Sequence, residues 1–90
     1  MMTNKLIEQY QRAEREYAYE NRMAFMSKLA RRYGWKCLRC GYTEHLTLDH
    51  IVPICKGGET VMSNVQILCY SCNRLKGHQV IDYRPKGGKP

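Results

Sequence analysis

No apolar stretch in this chain approaches the roughly 20 residues that a bilayer-spanning helix needs, so no membrane partner is expected. The opening residues, Met1-Met2-Thr3-Asn4-Lys5, run quickly into charge and lack the pattern of a secretory leader. With no leader, the five cysteines point to a reducing, cytoplasmic setting rather than an extracellular disulfide framework. Proline and glycine are both missing from Lys5 to Tyr33, and no internal repeat occurs apart from two short cysteine pairs. A chain of 90 residues leaves room for one small domain, which at this size usually needs a metal, disulfides or a partner to hold its fold.

Positive charge is what the chain has in excess. A formal charge of +7 and a pI near 9.3 favour a polyanionic partner, because a basic surface attracts phosphate-rich polymers and releases their counterions. Basicity alone does not identify that partner.

The uninterrupted segment from Lys5 to Tyr33 predicts one long helix or two shorter ones, with Thr3 or Asn4 as the cap. Leu6, Tyr10, Ala13 and Tyr17 follow helical spacing, and Phe25, Leu29 and Tyr33, with Met26 and Ala30, follow it again on a shifted face. The phase shift near Tyr19 to Arg22 predicts a bend or break. Basic side chains alternate with glutamates along this segment, which suits a solvated face. Lys28, Arg31 and Arg32, at the end nearest the cysteine pairs, are the candidates for nucleic-acid contact.

Gly34 stops the helix. Beyond it, Thr47 to Val52 and Asn64 to Leu68 read as two short strands, Lys56-Gly57-Gly58-Glu59 as a flexible turn, and Cys72 to Lys76 as the start of a short helix. A third strand is predicted at Gln79 to Tyr83. The final residues, Arg84-Pro85-Lys86-Gly87-Gly88-Lys89-Pro90, have the composition of a basic, partly flexible tail.

The cysteine pairs are Cys37-Leu-Arg-Cys40 and Cys69-Tyr-Ser-Cys72. Two residues between cysteines let each pair bend around one ion, and two such pairs complete the tetrahedral sulfur shell of structural zinc. Disulfides or buried free thiols are the alternatives. The 28 intervening residues exceed the usual zinc-ribbon interval and must therefore form structure of their own. Cys55 belongs to neither pair and reads as a small, partly buried residue. Trp35, Tyr42 and Tyr70 are expected to pack around the knuckles.

Zinc closed by four thiolates has no open coordination position, so any catalysis needs a second centre. Asp49, His50 and Asn73 offer one. Strand alternation sends Asp49 and His50 to opposite faces unless the strand ends there, as Pro53 suggests. The Asp49 carboxylate and Asn73 carbonyl oxygen suit a hard divalent cation such as Mg²⁺ or Mn²⁺. His45 and His78 read as structural. Arg74 and Lys76, near Asn73, and Lys56, in the glycine turn, are either phosphate contacts or solvated charge.

The run Leu48-Asp49-His50-Ile51-Val52-Pro53, then Lys56-Gly57-Gly58, Asn64-Val65-Gln66-Ile67-Leu68-Cys69 and Cys72-Asn73-Arg74-Leu75-Lys76-Gly77, closely resembles the HNH endonuclease family. The resemblance covers Cys37 to Gly77. It implies an α+β fold: a small, treble-clef-like ββα-metal finger with two zinc knuckles, preceded here by a helical segment. The implied division is a helical extension at 1–33, a nuclease module at 34–77 and a tail at 78–90. In the implied site His50 is the general base, Asp49 and Asn73 are ligands of the catalytic ion, and Asn64 braces the loop and orients His50. Many family members have histidine where this chain has Asn73, which bears on metal preference and leaves Ni²⁺ and Co²⁺ as further candidates.

The implied activity is hydrolysis of DNA phosphodiester bonds by one metal ion and a histidine base, leaving 5′-phosphate and 3′-hydroxyl ends. Two rival readings stand beside it: a non-catalytic zinc module that binds nucleic acid or protein, and an accessory nuclease subunit of a larger complex such as phage DNA packaging. Homodimerisation, or association with packaging proteins, would go with a bacterial or phage-infected cell.

Overall fold

The computed structural model describes residues 2–86. A single helix, α1 (Asn4–Tyr33), leads into a two-stranded antiparallel sheet of β1 (Leu46–His50) and β2 (Val65–Cys69), followed at once by α2 (Tyr70–Lys76). Short 3₁₀ turns at Ile54–Lys56 and Met62–Asn64 shape the connection between the strands. This is a small α+β architecture with the β, β, α order of the ββα-metal finger.

α1 runs without a break. Thr3 caps its start, accepting from the Leu6 backbone N–H at 3.1 Å, and Gly34 (φ +93°) closes it with an N–H to the Ala30 carbonyl at 2.7 Å. Only Ala18, Met26, Leu29 and Ala30 are buried along it. Met26, Leu29 and Ala30 pack on Val65 and Ile67, with Phe25, Tyr33, Leu46 and Leu48 around them. The expected Leu6, Tyr10 and Tyr17 stripe lies exposed instead. The reason is length: 30 helical residues span about 45 Å, whereas five-residue strands reach about 17 Å. The sheet can cover only part of the helix.

β1 starts one residue before and ends two residues before its predicted bounds, and β2 sits one residue later than predicted, in the register Leu46↔Cys69, Asp49↔Gln66 and His50↔Val65. β1 ends at His50, ahead of Pro53. All five residues of β2 are buried, because α1 covers one face and α2 with the C-terminal segment covers the other.

The predicted third strand does not form: among the described residues the sheet has two strands. The side chain of Gln66 holds that segment instead, donating from Nε2 to the Ile81 carbonyl at 2.9 Å and accepting from the Tyr83 N–H at 2.8 Å. A buried amide therefore does the work of a ladder. The expectation of a flexible tail falls partly on residues 87–90, which lie outside the described residues.

The glycine turn is also tighter than its composition suggests. Gly58 is buried, its N–H bonds the Pro53 carbonyl at 2.9 Å, and a Cβ there would overlap the Val52 carbonyl oxygen. Gly58→Ala must displace backbone, and we expect a loss of about 3 kcal/mol in urea denaturation, at the upper end of overpacking costs. Gly57, at φ +90°, supplies the left-handed residue of the same turn. Trp35, Tyr42 and Tyr70 are each about half exposed, so they do not form the packing expected around the knuckles. The thiols themselves, with Leu68, fill that space.

Candidate functional site

The turn after α1 carries Cys37 and Cys40, and the junction of β2 with α2 carries Cys69 and Cys72. Cys37 is fixed by its N–H to the Tyr42 carbonyl at 2.7 Å, and Gly41 (φ +83°) closes the turn with an N–H to the Cys37 carbonyl at 2.9 Å. Cys69 also caps α2, its Sγ facing the Cys72 N–H at 3.5 Å, while the Cys40 N–H faces Cys37 Sγ at the same distance. All four Sγ atoms lie within 4.8 Å of one another, with Cys40 and Cys69 3.8 Å apart.

Four thiolates about 2.3 Å from one zinc would be separated by roughly 3.8 Å, and a disulfide would require about 2.05 Å. The cluster therefore fits a tetrahedral ion and not disulfides. Burial pushes the Cys37 thiol up, but hydrogen bonds from the backbone of Cys69, Cys40 and Arg39 outweigh it and bring Cys37 down to about 6. At Cys72 the Arg39 guanidinium, 3.4 Å from Sγ, pulls downward, yet burial and the other three thiols push it up to about 12. Four sulfurs this close cannot all ionise without a cation among them. Cys55 is exposed rather than partly buried, and it stands apart from the cluster.

A second site lies where β1 ends. A cavity of about 220 Å³ is lined by Asp49, His50 and Asn73, together with Arg15, Cys55 and His78. Within the strand, Leu46, Leu48 and His50 face α1 and Thr47 and Asp49 face α2, as alternation requires. Because the strand stops at His50, the cavity wraps around its end and is lined from both faces.

Each wall residue is tied down through one atom. Asp49 is buried and accepts at Oδ2 from Gln66 Nε2 at 2.9 Å, with Lys76 Nζ 3.3 Å from the same oxygen. Asn73 donates from Nδ2 to Thr47 Oγ1 at 2.8 Å, and that hydroxyl donates to the Leu68 carbonyl at 2.7 Å. Asp49 Oδ1 and the Asn73 carbonyl oxygen take no hydrogen bond among the described residues. Two hard oxygen donors on one small cavity fit a divalent cation by donor type.

His50 is bound at Nε2 by Thr60 Oγ1 at 2.8 Å. Burial holds its pKa below the ordinary imidazole value, with Asp49 and Glu14 opposing and Lys76 assisting. Thr60 is itself buried, and its N–H donates to Glu14 Oε2 of α1 at 2.6 Å. Sequence reasoning missed Thr60 entirely, since nothing in a threonine after Gly-Gly-Glu marks it as the partner of a histidine ten residues upstream. Asn64 acts on the loop: Oδ1 accepts from the Val52 N–H at 2.9 Å, and Nδ2 donates to the carbonyls of Val52 at 3.1 Å and Glu59 at 2.9 Å. Its side chain reaches these backbone groups rather than the His50 ring.

Lys76 needs correction as a phosphate contact. Its side chain is fully buried, and Nζ donates to the His50 carbonyl at 2.8 Å while pairing with Asp49. α2 is so short that its last turn tucks under the end of β1. Arg74 is exposed and donates to Tyr70 Oη at 3.2 Å, and Lys56 is exposed in the first 3₁₀ turn. Lys28 and Arg31 are exposed, and the Arg32 guanidinium lies 5.6 Å from the Tyr33 ring centre; none of the three lines the cavity. His45 and His78, expected to be structural, are exposed; His45 stacks beside Tyr42, whereas His78 lines the cavity.

No helix among the described residues is long and apolar enough to cross a membrane. No curated protein matches the chain. Residues 37–79 match the family model described as HNH endonuclease, a segment that contains both cysteine pairs, both strands and α2. That segment, a little under half the chain, is similar to the HNH endonuclease family, and with its β, β, α order and four-cysteine metal site it supports a role of the nuclease or nucleic-acid-binding type.

Proposed function

We propose that the protein is a metal-dependent endonuclease that hydrolyses DNA phosphodiester bonds at the cavity beside β1. One observation carries the reading: His50, Asp49 and Asn73 line the same cavity within the segment that matches the family. Asp49 Oδ1 and the Asn73 carbonyl oxygen would hold Mg²⁺ or Mn²⁺. When bound, such a cation polarises the scissile phosphate and neutralises charge on the departing oxygen.

His50 would take a proton from the attacking water. With Nε2–H donating to Thr60 Oγ1, Nδ1 would be left as the basic nitrogen that takes the proton. Water oxygen bonds to phosphorus, the bond to the 3′ oxygen breaks, and that oxygen takes a proton from solvent, leaving a 5′-phosphate and a 3′-hydroxyl. Glu14 would hold Thr60 in place through the Thr60 N–H. Asn64 would fix the loop that follows β1, which supports His50 indirectly.

The test is relaxation of supercoiled plasmid in Mg²⁺, Mn²⁺, Ni²⁺, Co²⁺ or EDTA. Wild type should cut in Mg²⁺ or Mn²⁺ and not in EDTA. His50→Ala should retain zinc, fold and DNA binding while losing about 10²-fold or more in rate, the scale of a general base. Equal rates for wild type and His50→Ala in the same metal would move the chemistry elsewhere. DNA binding without cleavage in any of these metals would leave a non-catalytic nucleic-acid module.

A further inference from the structure

We propose that Arg15, on α1 and outside the segment that matches the family, binds the scissile phosphate or its immediate neighbour. The inference rests on the nuclease reading of the cavity and extends it by naming the residue that receives the anion.

Arg15 is exposed and lines the cavity with Asp49, His50 and Asn73, and among the described residues lining it Arg15 is the only lysine or arginine. It makes no hydrogen bond or ion pair with another described residue. The cation nearest the strands, Lys76, is consumed by Asp49 and the His50 carbonyl. Glu14 adds a negative charge close to His50. Without Arg15 the charged groups named here would be the neutralised Asp49–Lys76 pair and the Glu14 carboxylate, whose negative charge no cation among the described residues offsets and which would repel a phosphodiester.

The helix has a reason to put Arg15 there. Arg15, Ala18, Arg22, Met26 and Leu29 follow one stripe at helical spacing, and Ala18, Met26 and Leu29 are its buried members. Where the sheet ends, the stripe continues past it and passes over the cavity. Glu14, one residue earlier, is clamped to the Thr60 N–H, so the register of α1 against the site is set beside Arg15. A guanidinium offers a planar fork of donors matched to two phosphate oxygens, whereas a lysine offers a point charge. Arg22 follows on the same stripe but is occupied, donating to the Tyr19 carbonyl at 2.6 Å and stacking over the Tyr19 ring.

The experiment compares Arg15→Gln and Arg15→Lys with Arg12→Gln, an exposed arginine of the same helix that does not line the cavity. Affinity for a short fluorescein-labelled duplex is measured by anisotropy across a salt series in EDTA, and kcat and KM are measured on supercoiled plasmid in Mn²⁺. Arg15→Gln should reduce the slope of log affinity against log salt by about 0.9, the loss of one phosphate contact. It should also lower kcat by about 10²-fold, as for removal of one donor to a developing negative charge, with Arg15→Lys recovering part of both. Arg12→Gln should keep the wild-type kcat and slope. A slope for Arg15→Gln equal to that of wild type or of Arg12→Gln overturns the proposal, whatever happens to kcat. Because the salt series involves no turnover, a wild type that cuts nothing would defeat the nuclease reading while the slope still decides the role of Arg15.

Discussion

Cys69→Ser is expected to release the metal and unfold the module built on β1, β2 and α2. Cys69 has three duties: it ends β2, caps α2 through its sulfur, and stands 3.8 Å from Cys40 across the cluster. Serine offers a harder, weaker ligand and opens the tetrahedral shell. Structural zinc contributes on the order of 10 kcal/mol of binding free energy to folding, comparable to the whole stability of a small domain at about 5–15 kcal/mol. Native mass spectrometry should find one zinc per wild-type chain and none in Cys69→Ser, and circular dichroism should show loss of the cooperative melt. Cys55→Ser, which changes an exposed thiol outside the cluster, should keep both zinc and the melt. A Cys69→Ser protein that melts like wild type with its zinc in place would remove Cys69 from the ligand set.

The second large effect is expected at Lys76. Lys76→Met keeps most of the aliphatic stem but leaves Asp49 as a buried carboxylate without its cation and removes the donor to the His50 carbonyl. Breaking one side of a buried ion pair typically costs about 3–5 kcal/mol, much of it the penalty of the charge left behind. Urea denaturation should show that loss, and adding Asp49→Asn should restore part of it, because a neutral amide in that position no longer needs a counter-ion. A Lys76→Met protein with wild-type stability and weakened DNA binding would return Lys76 to the surface role that its sequence position suggests.

Lys76 also illustrates why parts of the site could not be read in advance. A lysine in Arg74-Leu75-Lys76, on a short helix of a basic protein, has the local character of a solvated or phosphate-binding side chain. Its burial depends on α2 stopping after seven residues beneath the end of β1, next to a carboxylate 27 positions earlier in the chain. Thr60 and Arg15 were hidden for the same reason. Their partners lie on other elements, and neither residue type carries a spacing rule that points to them. The third strand failed differently: Gln79 to Tyr83 reads as a possible strand, but the Gln66 side chain satisfies backbone groups of that segment without a ladder.

Features that depend on local chemistry could be read from the residues alone. Two residues between cysteines bend each pair around one ion, the absence of proline and glycine sustains α1, and short strand-like runs between turn signals mark β1 and β2 to within a residue or two. The match between Leu48 and Gly77 was legible because its residues sit close together along the chain. Tertiary packing alone fixed that β1 ends at His50 so that one cavity is lined from both its faces, that Lys76 is buried, and that α1 brings Glu14 to Thr60 and Arg15 to the cavity. The physical reason is distance along the chain: pairings across 46 residues, such as Glu14 with Thr60, are set by how the elements pack and leave no periodicity in the sequence to read.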